Sequence, residues 1–217
     1  VDKYGVLTIN ADLYIKENGH GVLPKIGERL WLFEQSLKNI KKIVFTKKGL
    51  EFPKNATNWF NGYENVTEIE GLELVSTKNV TAMRYMFANM QSLTELDLSN
   101  FDTSNVITMD SMFSGMTRLE QLNLSNFDTS NVTNMGGMFY GTDSLIELDL
   151  SSFDTRNVTD MGYMFSDNLA YETNKVKFRN NIDFTKEIEE KTKPNYYKLK
   201  TIEVFDFIDE FELNFNI

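Results

Sequence analysis

The chain contains no cysteine. Disulfides, thiolate metal sites and a cysteine nucleophile are therefore excluded together. Histidine occurs once, at His20, so a multi-histidine metal site is excluded as well. Within Glu17-Asn18-Gly19-His20-Gly21 that histidine reads as a turn residue. No apolar run approaches the roughly 20 residues needed to span a bilayer. The first residues, Val1-Asp2-Lys3-Tyr4, carry no apolar signal-peptide region. There is no phosphate-binding glycine loop, no G-x-S-x-G and no H-E-x-x-H. Basic residues are the minority, 22 against 32 acidic.

That imbalance is not spread evenly. Residues 1–65 carry 10 basic and 7 acidic side chains, whereas residues 66–168 carry 4 and 15. The middle of the chain is therefore strongly acidic. Such a surface repels nucleic acid and anionic lipid, whose binding depends on Lys and Arg. It suits cations or a basic protein surface.

What the middle does contain is a repeat of 26 residues. Phe87, Phe113, Phe139 and Phe165 recur at that step, as do Val80, Val106, Val132 and Val158. Met83, Met109, Met135 and Met161 form one methionine series, and Met86, Met112, Met138 and Met164 a second. Leu96, Leu122 and Leu148 lie two places before Leu98, Leu124 and Leu150. The alternation at Leu96 and Leu98 predicts a short strand with one buried face. Asp102-Thr103-Ser104-Asn105 then reads as a corner or helix cap. Val106, Met109, Met112 and Phe113 stand at helical spacing and predict a short amphipathic helix, closed by Gly115. One such unit cannot bury its own apolar side, so the units are expected to stack into a solenoid with a parallel strand ladder.

The fold class expected is thus an α/β-type repeat solenoid of short parallel strands and short helices, capped at both ends. Ile40, Ile43 and Phe45, then Val66, Ile69 and Leu72, extend the strand series towards the N-terminus; Val176 and Phe178 extend it at the other end. Residues 1–60 read as an N-terminal cap and 61–168 as the solenoid. Residues 169–217 read as a C-terminal cap or the start of a following domain. In the N-terminal part, Leu7 to Ile15 around Asn10-Ala11-Asp12 suggests a hairpin, and Ile26, Leu30, Phe33 and Leu37 a helix. In the C-terminal part, Thr185 to Lys191 suggests a short helix, and Phe211 to Ile217 a strand.

The unit from Ser125 to Phe139, S-N-F-D-T-S-N-V-T-N-M-G-G-M-F, resembles the repeat of the BspA-like leucine-rich-repeat family of bacterial surface proteins. The D-T-S-N-V motif starts at Asp102 and Asp128, and returns as D-T-R-N-V at Asp154. The resemblance implies export and display on the envelope of Gram-positive bacteria or mycoplasmas, and adhesion to host matrix or to other cells. No sorting motif or lipidation cysteine is visible in this chain.

Candidate chemistry is sparse. The methionine series could hold a soft metal, but an inward stripe of Met is read as core. Asp102, Asp128 and Asp154, with Asn105, Asn131 and Asn157, suggest either a cation ladder or turn-capping amide acceptors; the second is preferred. The outward residues of the strands form the main candidate. Glu95, Asp97 and Ser99, Gln121, Asn123 and Ser125, and Glu147, Asp149 and Ser151 are expected to form a polar, acidic grid on a concave sheet. A calcium ion shared by Asp97 and Asp149 is disfavoured, because two coil steps separate them by roughly 10 Å. No cofactor, metal or catalytic residue is assigned, and membrane insertion is not expected. Three roles fit: an interaction module that docks a basic or host-matrix protein, a structural spacer, or, least favoured, a glycan hydrolase.

Overall fold

The computed structural model describes residues 1–9, 15–17, 20–22, 38–168 and 175–178. These residues wind into a β-solenoid. Its strands are β1 (Val6–Ile9), β2 (Ile15–Glu17), β3 (His20–Val22), β4 (Lys42–Phe45), β5 (Leu50–Glu51) and β6 (Glu68–Glu70). They continue with β7 (Val75–Ser76), β8 (Glu95–Asp97), β9 (Gln121–Asn123), β10 (Leu148–Leu150) and β11 (Val176–Phe178). Apart from the β2–β3 hairpin, every pairing among them is parallel. The Leu96↔Leu122 pairing of β8 with β9 reproduces the sequence period, as does Ile43↔Ile69 between β4 and β6. The strand at Val176–Phe178 adds a further rung against β10.

The expected short helices are absent. The only helical segment among the described residues is a 3-10 turn at Leu72–Leu74. From Met109 to Gly115 the chain forms a ribbon of tight turns instead. Alternate amides point along the solenoid axis to the next coil: Met109 N–H donates to Asn134 O at 3.0 Å, Ser111 to Gly136 at 2.8 Å, Phe113 to Met138 at 3.0 Å and Gly115 to Tyr140 at 2.7 Å. The amides between them close local turns, Met112 to Met109 O and Ser114 to Ser111 O. A helix would direct all of these amides back along its own axis. Left-handed backbone at Ser111 (φ 54) and Gly115 (φ 71) breaks any helical run. The helical spacing misled because a turn of about four residues also returns side chains inward every third or fourth position.

The hairpin also sits elsewhere than expected. β1 does not fold back through Asn10-Ala11-Asp12; it pairs in parallel with β4, and the hairpin joins Ile15–Glu17 to His20–Val22. His20 therefore begins a strand and lies opposite Glu17. The helices expected at 26–37 and 185–191, and the strand at 211–217, lie outside the described residues.

The core is a set of columns. Phe60, Phe87, Phe113, Phe139 and Phe165 stack with ring centroids 5.0–6.0 Å apart and interplanar angles of 7–13°. All ten methionines are buried, none more than 1 % exposed. Their unbranched thioethers fill the space between the strand leucines and the stacked rings.

A hydrogen-bonded threonine column closes the corner. Thr103 Oγ1 donates to Asp128 O at 2.9 Å and accepts Asp128 N–H at 2.8 Å. Thr77 serves Asp102 in the same way, and Thr129 serves Asp154. The hydroxyl thus replaces one rung of a backbone ladder at a place where the strands have ended.

Two stability predictions follow from these columns. Thr129→Val keeps the shape but strips a buried N–H and C=O of their partner, so urea denaturation should show a loss of about 2–4 kcal/mol. Thr133→Val, in the exposed column where Ile107 already stands, should cost under about 0.5 kcal/mol. The second concerns sulfur. With no thiol and every thioether buried, peroxide should leave the folded chain near its native mass, whereas the urea-unfolded chain should gain one oxygen per methionine and fail to refold. Rapid sulfoxide formation in the folded state, read by mass spectrometry, would contradict this packing.

Candidate binding face

The strand wall presents alternate side chains outward, because successive residues of a strand face opposite sides. All nine grid positions predicted from the sequence are exposed there: Glu95, Asp97, Ser99, Gln121, Asn123, Ser125, Glu147, Asp149 and Ser151. Three of them have a local structural task. Asp97 Oδ1 accepts Ser99 N–H at 2.9 Å, Asn123 Oδ1 accepts Ser125 N–H at 3.0 Å, and Asp149 Oδ1 accepts Ser151 N–H at 2.9 Å. Each closes the turn that follows its strand. The carboxylate and the amide are interchangeable in that role, as Asn123 demonstrates.

Electrostatics follow from the same bonds. The backbone amide and hydroxyl of Ser99 hold the Asp97 carboxyl below its ordinary value. Burial pushes the Asp149 carboxyl up, but Ser151 and the Lys177 ammonium at 3.0 Å outweigh it and leave it lowered. In-register parallel rungs stand about 4.8 Å apart, where like charges repel. A rung of amides, Gln121 and Asn123, separates Glu95 and Asp97 from Glu147 and Asp149.

The face extends beyond the nine positions. On the N-terminal side, Lys42 Nζ bridges Glu68 at 3.0 Å and Glu70 at 2.5 Å. Between β6 and β8 the wall opens into a groove of about 750 Å³, rimmed by Glu73 and Glu95. Sequence spacing hid this groove. Its signal is the departure from the period at Gly71, whose left-handed backbone (φ 74) leads directly into the Leu72–Leu74 turn. A Cβ at residue 71 would lie 2.1 Å from Phe45 O, so only glycine lets the chain leave the strand here.

The Asp and Asn columns of the D-T-S-N motif serve the fold. Asp102 and Asp128 accept the amides of Ser104 and Ser130. Asp154 accepts the Arg156 amide and pairs with its guanidinium. Asn105, Asn131 and Asn157 each donate to a carbonyl of the preceding coil. The buried threonine column was missed by sequence reasoning, although Thr103, Thr129 and Thr155 stay fixed while the next position varies from Ser to Arg. Among the described residues, no three ligating side chains converge as a metal site would require.

The architecture defines a β-solenoid repeat protein with a polar strand face. The chain belongs to a family described as "Mycoplasma protein of unknown function, DUF285", whose model matches residues 54–179. No curated protein and no solved structure matches the chain.

The lowered carboxyls give a pH prediction. A depressed folded-state value stabilises the native state above the ordinary value of 3.8, and that stability is lost as pH falls through the folded-state value. The urea midpoint should therefore hold steady down to about pH 5 and fall below about pH 4. Replacing Asp97, Asp128 and Asp149 together by Asn should flatten that acid limb while leaving the far-UV spectrum unchanged.

Proposed function

We propose that this chain is a non-catalytic interaction module, secreted or displayed on a bacterial envelope in the manner of BspA-like leucine-rich-repeat proteins, and that its strand face docks a basic protein surface, such as one from host matrix. The observation that carries this reading is the contrast between the columns. The inward columns, the threonine corner and the Asp-Asn motif all have structural partners. Glu95, Gln121 and Glu147 on the strand face make no hydrogen bond or ion pair among the described residues. Carboxylates without structural duty, repeated on a flat exposed wall and uncompensated by nearby bases, suit electrostatic recognition. A spacer would need no such pattern. A hydrolase would need ionisable groups converging in a cleft that shifts their pKa values, which the spread of this grid does not favour.

The test uses neutral isosteres, because charge reversal at Asp97 or Asp149 would also break a turn. The variant Glu95→Gln/Asp97→Asn/Glu147→Gln/Asp149→Asn should keep its melting curve at neutral pH. It should lose about tenfold or more in capture of basic host-matrix proteins at physiological salt, and the parent's capture should weaken as salt rises. Equal, salt-insensitive capture by parent and variant would remove the face from this role and leave the spacer reading.

A further inference from the structure

We propose that the opening between β6 and β8 is a docking slot for an extended, lysine- or arginine-bearing peptide segment, which adds to the wall as a strand. The inference rests on the binding-face reading above and narrows it to one location and one kind of occupant.

Three independent features meet there. First, the strand ladder lapses. β6 is the last strand of the β1-β4-β6 sheet and β8 the first of the β8-β9 pair. Among the described residues no backbone hydrogen bond joins Glu68–Glu70 to Glu95–Asp97. Each strand keeps one edge of N–H and C=O groups without a protein partner, and such edges are templates for an incoming strand. The same two coils are closed on their far side, where Asn55 bridges Ala82 in parallel and Phe60 N–H donates to Met86 O at 2.7 Å. The coils are thus zipped along the turn ribbon and splayed on the strand wall.

Second, the opening has volume and an apolar floor. It measures about 750 Å³, and Ile69 and Leu122, only partly buried, are among its lining residues. A lapse also occurs between β9 and β10, but the residues of β10 do not line this groove.

Third, the charge is one-sided. Glu68 and Glu70 share a single ammonium, that of Lys42. Glu73, Glu95 and Asp97 add three carboxylates with no base bound to them among the described residues. Side chains on alternate residues of an added strand would meet this rim, while the main chain met the edges. Lysine and arginine fit, since their methylene stems pack on Ile69 and Leu122 while the cationic head reaches the carboxylates. An acidic or uncharged segment would leave the carboxylates uncompensated.

The experiment is calorimetric titration of the whole chain with a short blocked peptide alternating lysine and alanine. A second peptide carries the same sequence N-methylated at alternate amides, and a third carries glutamate for lysine. The first should bind, the N-methylated one about tenfold more weakly, and the acidic one not at all. Glu73→Gln/Glu95→Gln/Asp97→Asn should weaken the first peptide about tenfold, while Glu147→Gln/Asp149→Asn should leave it within about twofold. If both variants weaken binding equally and N-methylation has no effect, the slot is refuted while the wider acidic face survives. If basic proteins are captured through the face but the peptide does not bind, the slot again falls alone. If neither peptide nor protein responds to any neutralisation, both readings fall.

Discussion

The structure depends on one bond repeated: an amide of the turn ribbon donating to a carbonyl one coil further on. Met83 to Thr108, Met109 to Asn134 and Met135 to Asp160 are three successive instances at 2.9–3.0 Å. Because this bond runs along the axis, it fixes the rise between coils and forces residues one period apart into vertical columns. Each column then has to solve its own packing problem at a spacing of about 4.8 Å. Phenylalanine solves it by stacking, methionine by flexible filling, threonine by giving and accepting one hydrogen bond each, and asparagine by reaching back one coil. Left-handed residues at Ser111, Gly137 and Tyr163 keep the donors aimed correctly, and the column tolerates Ser, Gly and Tyr because their side chains do not enter the core.

Much of this was legible from residue spacing. The buried columns at Val106, Met109, Met112 and Phe113 follow directly from the period, since only a shared interior explains identical apolar types at a constant step. The outward positions of β8, β9 and β10 follow from strand alternation. The ribbon was not legible, because inward-facing residues of consecutive turns imitate helical spacing; the discriminating signal is backbone sign, and Ser111 conceals a positive φ that only Gly115 and Gly137 advertise. The placement of the first hairpin was missed because β1 reads locally as half of a meander, while its partner β4 stands 36 residues away. Long-range parallel pairing leaves no local turn signature.

The binding face illustrates how a solenoid separates fold from recognition. In a column, a functional side chain is copied into every coil, and copied charge is unfavourable. This chain dilutes that cost with the Gln121–Asn123 rung and with Lys42 and Lys177 towards the two ends of the strand wall. Some acids still cannot be removed freely: Asp97 and Asp149 close turns, so their presence says little about a ligand. Glu95 and Glu147 close nothing. The weight of the binding-face reading therefore lies on the glutamates, although the aspartates contribute equally to the charge.

Recognition in a repeat also needs a place where the period fails, since a uniform wall offers every partner the same surface at each rung. Here the failure is physical and local. Gly71 bends the chain out of register against Phe45, the Leu72–Leu74 turn follows, and Glu73 joins the rim. The residue count between equivalent positions rises by one across this segment, from Ile69 to Leu96 against Leu96 to Leu122. One additional residue cannot be absorbed by the turn ribbon, whose amides are committed to the next coil. It is absorbed on the strand wall, where the ladder yields. The same inter-coil bond that makes the solenoid regular thereby decides where its irregularity, and with it a distinctive surface, must appear.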